Sequence, residues 1–172
     1  MKKILLIGFF AALVVACKSK NEAVLNDVNQ ADRDFIMKAS FVNAGVIKFS
    51  ELADTVATDS AVNAFAGLML TNHRNIKTGF DRVGSGLTYY SKDSLDAAHL
   101  AIKIKLDSLV GTGRAFDSLY IHNEVKEQTD FIAACNAVIA GGLNPQVKGF
   151  ASGVLPQVQL HKQKADSLAK KF

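Results

Sequence analysis

Two histidines stand where this sequence otherwise places apolar residues. His73 follows Met69 by four positions and precedes Ile76 by three, while His161 follows Val158 by three and precedes Ala165 by four. Steps of three and four trace one face of a helix, so both imidazoles are aimed at a core. Glu124 and Gln128, four apart, share a face of another helical stretch. His73, His161 and Glu124, with His122 as a further donor, are a reasonable set for one zinc or other divalent ion. The reading that needs no metal is a buried polar layer. In it the histidines hydrogen-bond to Glu124, Gln128, Tyr120 or Asn123 and fix the register of the helices. Such a layer would respond to pH, because imidazole titrates near neutrality and burial shifts it.

Other chemistries fail on residue type. A di-iron carboxylate centre needs a Glu three residues before each histidine, and those positions are Leu70 and Val158. Glu124, with Glu127 one step round the helix, supplies too little anionic charge for two hard iron ions. "GSG" and "GTG" lack the strand–loop–helix setting of a phosphate cradle. Asp-Ser pairs with distant histidines lack an oxyanion-forming element. No catalytic residue is therefore assigned, and the expectation is a non-enzymatic binding or structural module without a cofactor. A metal-binding or redox protein using His73, His161 and Glu124 is the alternative.

The start of the chain speaks to location. Ile4 to Ala16 form an apolar run of 13 residues behind Lys2 and Lys3. As a helix it spans roughly 20 Å, short of the ~30 Å hydrocarbon core of a bilayer. That is a signal-peptide pattern. Val14, Val15 and Ala16 lead into Cys17, which resembles a bacterial lipobox. The resemblance implies a leader of residues 1–16, acyl chains such as palmitate on Cys17, and a membrane as partner. Several acyl chains hold a protein stably where one alone is marginal. Lys18 in place of an aspartate resembles outer-membrane sorting, facing the periplasm or the cell surface.

The formal charge of the 172 residues is +4, and the two leader lysines account for half of it. No basic stripe interleaved with aromatics occurs, so nucleic acid is not an expected partner. An envelope protein or ligand is expected but not identifiable. With Cys17 lipidated, Cys135 has no partner in the chain and reads as a small core residue.

The elements that must carry these side chains are helices. Residues 17–29 read as the lipidated cysteine and a polar tether, and residues 30–172 as one domain. Phe35, Ala39, Val42, Val46, Phe49, Ala53 and Val56 mark a first helix over about 30–57. Val62, Ala66, Met69, His73, Ile76, Phe80 and Val83 mark a second over about 60–83. A short helix is expected over about 92–109, capped by Ser91 or Asp93. A long one follows over about 114–140, terminated by Gly141 and Gly142. The last opens at Pro145 behind Asn144, with the seam Val147, Ala151, Val154, Val158, His161, Ala165 and Leu168. Pro156 inside it predicts a bend.

"AVNAFAGLML" (61–70) and "QVKGFASGVL" (146–155) echo each other at Val, Phe, Ala and Leu, as "RDF" (33–35) and "RAF" (114–116) do. The class is all-α: two antiparallel hairpins joined by a long crossover that contains a short extra helix, as a four-helix bundle. At about 1.5 Å per residue, His73, Glu124, Gln128 and His161 fall roughly 20, 15, 21 and 14 Å from one end, so the four can share a layer.

Phe35 and Ala39, "FAGLMLTNH" (65–73), "FDSLY" (116–120) and "LPQVQLH" (155–161), in that order, resemble a family of bacterial envelope proteins. That family is described only as a domain of unknown function with a ferritin-like bundle. The resemblance covers about residues 30–168. It implies the ferritin-like four-helix bundle and the envelope location, and no established activity. It also implies that Val46 and Gln128 stand where relatives tend to carry a glutamate and a histidine.

Overall fold

The computed structural model describes residues 28–84 and 93–172. The expected leader, Cys17, most of the expected tether and most of the turn "GSGLTYYS" lie outside the described residues. Within them the protein is helical, with no strand: α1 Gln30–Val56, α2 Ser60–Gly84, α3 Ala97–Ser108, α4 Arg114–Gly141 and α5 Pro145–Ala169.

Polar side chains set the helix starts. Asn29 and Asp32 form a reciprocal capping box at α1. The Asp59 carboxylate accepts the N–H groups of Ala61 and Val62 at α2. Asn144 accepts those of Gln146 and Val147 at α5, where Pro145 occupies the first turn without forfeiting a bond. The short helix begins five residues later than the sequence suggests. The run "SKDSLD" offers several capping residues, and Asp96 is the one that accepts the His99 N–H.

The four long helices pack round one core. α1 lies against α2 and α4, α5 lies against α4 and α2, and α1 barely meets α5 across the diagonal. The turn from α1 to α2 sits beside the start of α4, and the turn from α4 to α5 sits beside the start of α1. These are two antiparallel hairpins, with α2 and α4 parallel and α5 opposed to both. α3 runs along α1 and touches α4 as the crossover. The expected seams are buried, with Val56, Val154 and Leu168 at their half-buried edges. Cys135 is fully buried in the same core, and burial pushes its thiol pKa up to about 12. Pro156 lies inside α5, whose helical run continues through it.

The two hairpins lock each other's turns. Asp117, near the start of α4 and 1% exposed, accepts the Thr58 hydroxyl at 2.7 Å, the Asp59 N–H at 2.8 Å and the Thr58 N–H at 3.1 Å. Asp32, in the first turn of α1 and fully buried, accepts the N–H groups of Leu143 at 3.0 Å and Asn144 at 3.1 Å. Asn29 adds a bond from its amide to the Gly141 carbonyl at 2.7 Å. α4 ends at Gly141 with Gly142 as its cap, where the sequence places its terminators. The φ of Gly142 is −71°, not left-handed. Glycine is needed because a Cβ would stand 2.5 Å from Asp32 Oδ1 and 2.7 Å from the Val138 carbonyl oxygen.

Candidate functional site

The centre of the bundle brings together the four residues singled out by their spacing. His73 of α2, Glu124 and Gln128 of α4 and His161 of α5 are each no more than 1% exposed. The rings of His73 and His161 lie 5.3 Å apart at their centroids. From α1, Asn43 holds His73 at two points. Its Oδ1 accepts from His73 Nδ1 at 2.9 Å, and its amide donates to the His73 backbone carbonyl at 3.1 Å. That pairing puts the ring hydrogen on Nδ1 and leaves the Nε2 lone pair facing inward. The Gln128 amide nitrogen donates to His73 Nε2 at 3.3 Å and to Glu124 Oε2 at 3.2 Å, using both of its hydrogens. The Met69 sulfur lies 4.0 Å from the same nitrogen. Asn72 of α2 donates to His161 Nε2 at 2.9 Å. Glu124 Oε1, Gln128 Oε1 and His161 Nδ1 are buried without a hydrogen-bond partner among the described residues.

Burial favours the uncharged form of each titratable group in this layer. Burial, and then the neighbouring His161, press the His73 pKa down to about 3. Burial, and then Lys164, lower His161 to about 4. Burial, and then the charge of Glu127, raise Glu124 well above the usual carboxylate range. Both rings are therefore neutral in the fold and take up protons on unfolding below 6.5. Stability should fall as pH drops from 6.5 towards 4, by up to about 1.4 kcal/mol per pH unit for each ring. Urea unfolding of the protein and of His161→Gln between pH 4.5 and 6.5 checks this, since the variant should show the shallower slope. Parallel slopes would mean that His161 is not held neutral.

Several side chains lie elsewhere than their spacing suggested. His122 is exposed and bonds the Ser118 carbonyl, so it is not a member of the layer. Its position, six before Gln128, puts it on another face of α4. Tyr120 pairs with Ser50 at 2.9 Å instead of with a histidine. Asn123 is buried and makes no bond to either ring. Glu127 turns outward to His99 of α3 at 3.1 Å. Val46 is buried on α1 as an apolar residue.

Asn43, Asn72 and His99 were missed from the sequence. Asn43 sits one position off the apolar seam of α1, and nothing local announces a partner thirty residues away. His99 carried a readable signal, since Asp96-x-x-His99 is a capping spacing.

No three His, Cys, Asp or Glu side chains among the described residues are placed to hold a metal ion. His73, His161, Glu124 and Gln128 line neither of two surface cavities, of about 620 and 360 Å³. No described helix is long and apolar enough to cross a membrane.

The model of a family described as a domain of unknown function (DUF4142) matches residues 17–168, and the chain belongs to that family. No curated protein and no solved structure matches it.

Proposed function

We propose that this member of the family is a lipid-anchored protein of the bacterial envelope, whose ferritin-like bundle works as a binding or structural module without catalysis of its own. The observation that carries the non-catalytic part is the sealed state of the histidine layer. Its rings are neutral, its carboxyl is raised towards the neutral acid, and its four core residues line neither cavity. A catalytic group has to meet its substrate, and these four side chains, each no more than 1% exposed, are enclosed by other side chains such as Asn43, Asn72 and Met69. Their hydrogen bonds tie α1 to α2, α2 to α4 and α2 to α5, the work of a layer that fixes register. The anchor rests on the leader and on Cys17, where the family match also begins. Outer-membrane sorting rests on Lys18. The ferritin-like reading is supported by the two antiparallel hairpins and the single long crossover.

Cys17→Ser should move the protein from the detergent phase to the aqueous phase in phase partitioning. Unchanged partitioning would remove the lipid anchor from the proposal. A second reading, one metal ion at His73, His161 and Glu124, has a specific observation in its favour. Three buried polar atoms in the layer have no partner among the described residues, and native groups of that kind call for an explanation. Elemental analysis of protein purified without a chelating tag separates the readings. Stoichiometric metal that is lost in His73→Ala and His161→Ala would establish the second, and metal-free protein would remove it.

A further inference from the structure

The crossover helix α3 is attached differently from the four long helices. Only His99 and Leu106 of its twelve residues are buried, and Leu100 and Ile104 face outward at 51% and 61% exposure. Its first turn is held by one side chain. His99 Nδ1 lies 2.6 Å from Asp96 Oδ1, and His99 Nε2 lies 3.1 Å from Glu127 Oε2 of α4. The ring stacks on Phe49 of α1 with centroids 6.3 Å apart and planes inclined by 22°. It presses so closely on Gly45 that a Cβ there would be 2.5 Å from His99 Cδ2.

A neutral imidazole has one N–H. It could donate to one of these carboxylates, but it would turn a lone pair towards the other. Two donated bonds therefore require the imidazolium. Asp96 and His99 also form part of the wall of the 620 Å³ groove, whose remaining lining includes Phe35, Phe41 and Ala134.

We propose that His99 is a proton-controlled clasp. It docks the first turn of α3 on α1 and α4 while both ring nitrogens carry hydrogen, and it releases that turn, opening the groove, when one proton leaves.

The charged groups round the clasp agree with this. From α3 there is Asp96, and from α4 there are Glu127 in contact, with Glu124, Lys126 and Asp130 behind it. From α1 the ring meets Gly45 and Phe49, while Asp34 and Lys38 line the groove beside it. Burial opposes the charge on His99, but the bonds and charges of Glu127 and then Asp96 outweigh it, so its pKa is raised above 6.5. Burial likewise opposes the Asp96 carboxylate, yet the His99 N–H and ring hold its pKa below 3.8. A raised histidine pKa gives stabilisation that is complete below 6.5 and lost as pH climbs through the folded value. A lowered aspartate pKa gives stabilisation lost only as pH falls through the folded Asp96 value, which lies below 3.8. The clasp is therefore closed from about pH 4 to 6.5 and opens on the alkaline side.

The test is amide hydrogen exchange of the full chain between pH 6 and 9, scaled for the intrinsic pH dependence of exchange, together with the imidazole NMR titration of His99. Protection of residues 97–108 should fall about tenfold for each unit by which the His99 pKa exceeds 6.5, while α4 and α5 keep theirs. Glu127→Gln should shift both the NMR titration and the loss of protection to lower pH. The unmodified protein decides the matter even if that variant folds poorly. His99 titrating at or below 6.5, or α3 protection that tracks α4 at every pH, would overturn the clasp.

Discussion

Asp117→Ala is expected to lower the unfolding free energy by about 3 kcal/mol, more than a typical single substitution. The carboxylate is 1% exposed and accepts two backbone N–H groups and a hydroxyl from the α1–α2 turn. Hydrogen bonds to a charged group contribute about 1.5–3 kcal/mol each. Thr58 is exposed and can turn to water when its partner is lost, so the sum is discounted to the figure given. Asp32→Ala should cost a similar amount, since it strips the Leu143 and Asn144 N–H groups and half of the α1 capping box. Asp117→Asn should fall between, keeping one acceptor oxygen while aiming an amide N–H at donors. Denaturant titration by circular dichroism gives all three values. A loss below about 1 kcal/mol for both alanine variants would mean that the hairpins hold their turns unaided.

Glu124→Gln should do the opposite and stabilise the protein, increasingly so as pH rises. The folded protein keeps Glu124 in its acid form well above the pH at which the unfolded chain ionises it. Between pH 4.5 and that raised value the folded state binds the extra proton, so stability falls with rising pH. Glutamine keeps the oxygen that accepts from Gln128 and has nothing to ionise. The gap between variant and parent should widen by up to about 1.4 kcal/mol per pH unit. Urea unfolding at pH 5.5 and 7.5 reads it directly. A gap that does not change with pH would show Glu124 ionised inside the fold, which requires a compensating cation and favours the metal reading over the structural one.

The helices and their order were legible because three of the four long ones carry a seven-position seam at steps of three and four, apolar throughout in α1 and broken by one histidine each in α2 and α5. α4 was legible by its length and its terminators, not by its seam. Its inward face includes Asp117, Tyr120, Asn123, Glu124, Glu127 and Gln128, so hydrophobic periodicity says little about which side is buried. For the same reason Glu127 could be placed one step round the helix but not assigned to His99.

Spacing alone brought His73, Glu124, Gln128 and His161 into one layer, since the rise per residue fixes height along a bundle. It could not supply Asn43 and Asn72, whose partners are 30 and 89 positions away. Nor could spacing separate a ligand set from a hydrogen-bonded layer. That distinction rests on side-chain distances of a few ångström, set by how closely the helices approach.

The reciprocal locking of the turns also bears on the order of events at the ribosome. The α1–α2 turn waits for Asp117, 58 and 59 residues further along, and Asp32 waits for a turn more than 110 residues away. At roughly 5–20 residues per second of synthesis, the first hairpin spends several seconds outside the exit tunnel with neither end fastened. Its greasy stripe is uncovered throughout that interval. A nascent chain of this design depends on whatever shields it until the second hairpin emerges, and only then do both ends close.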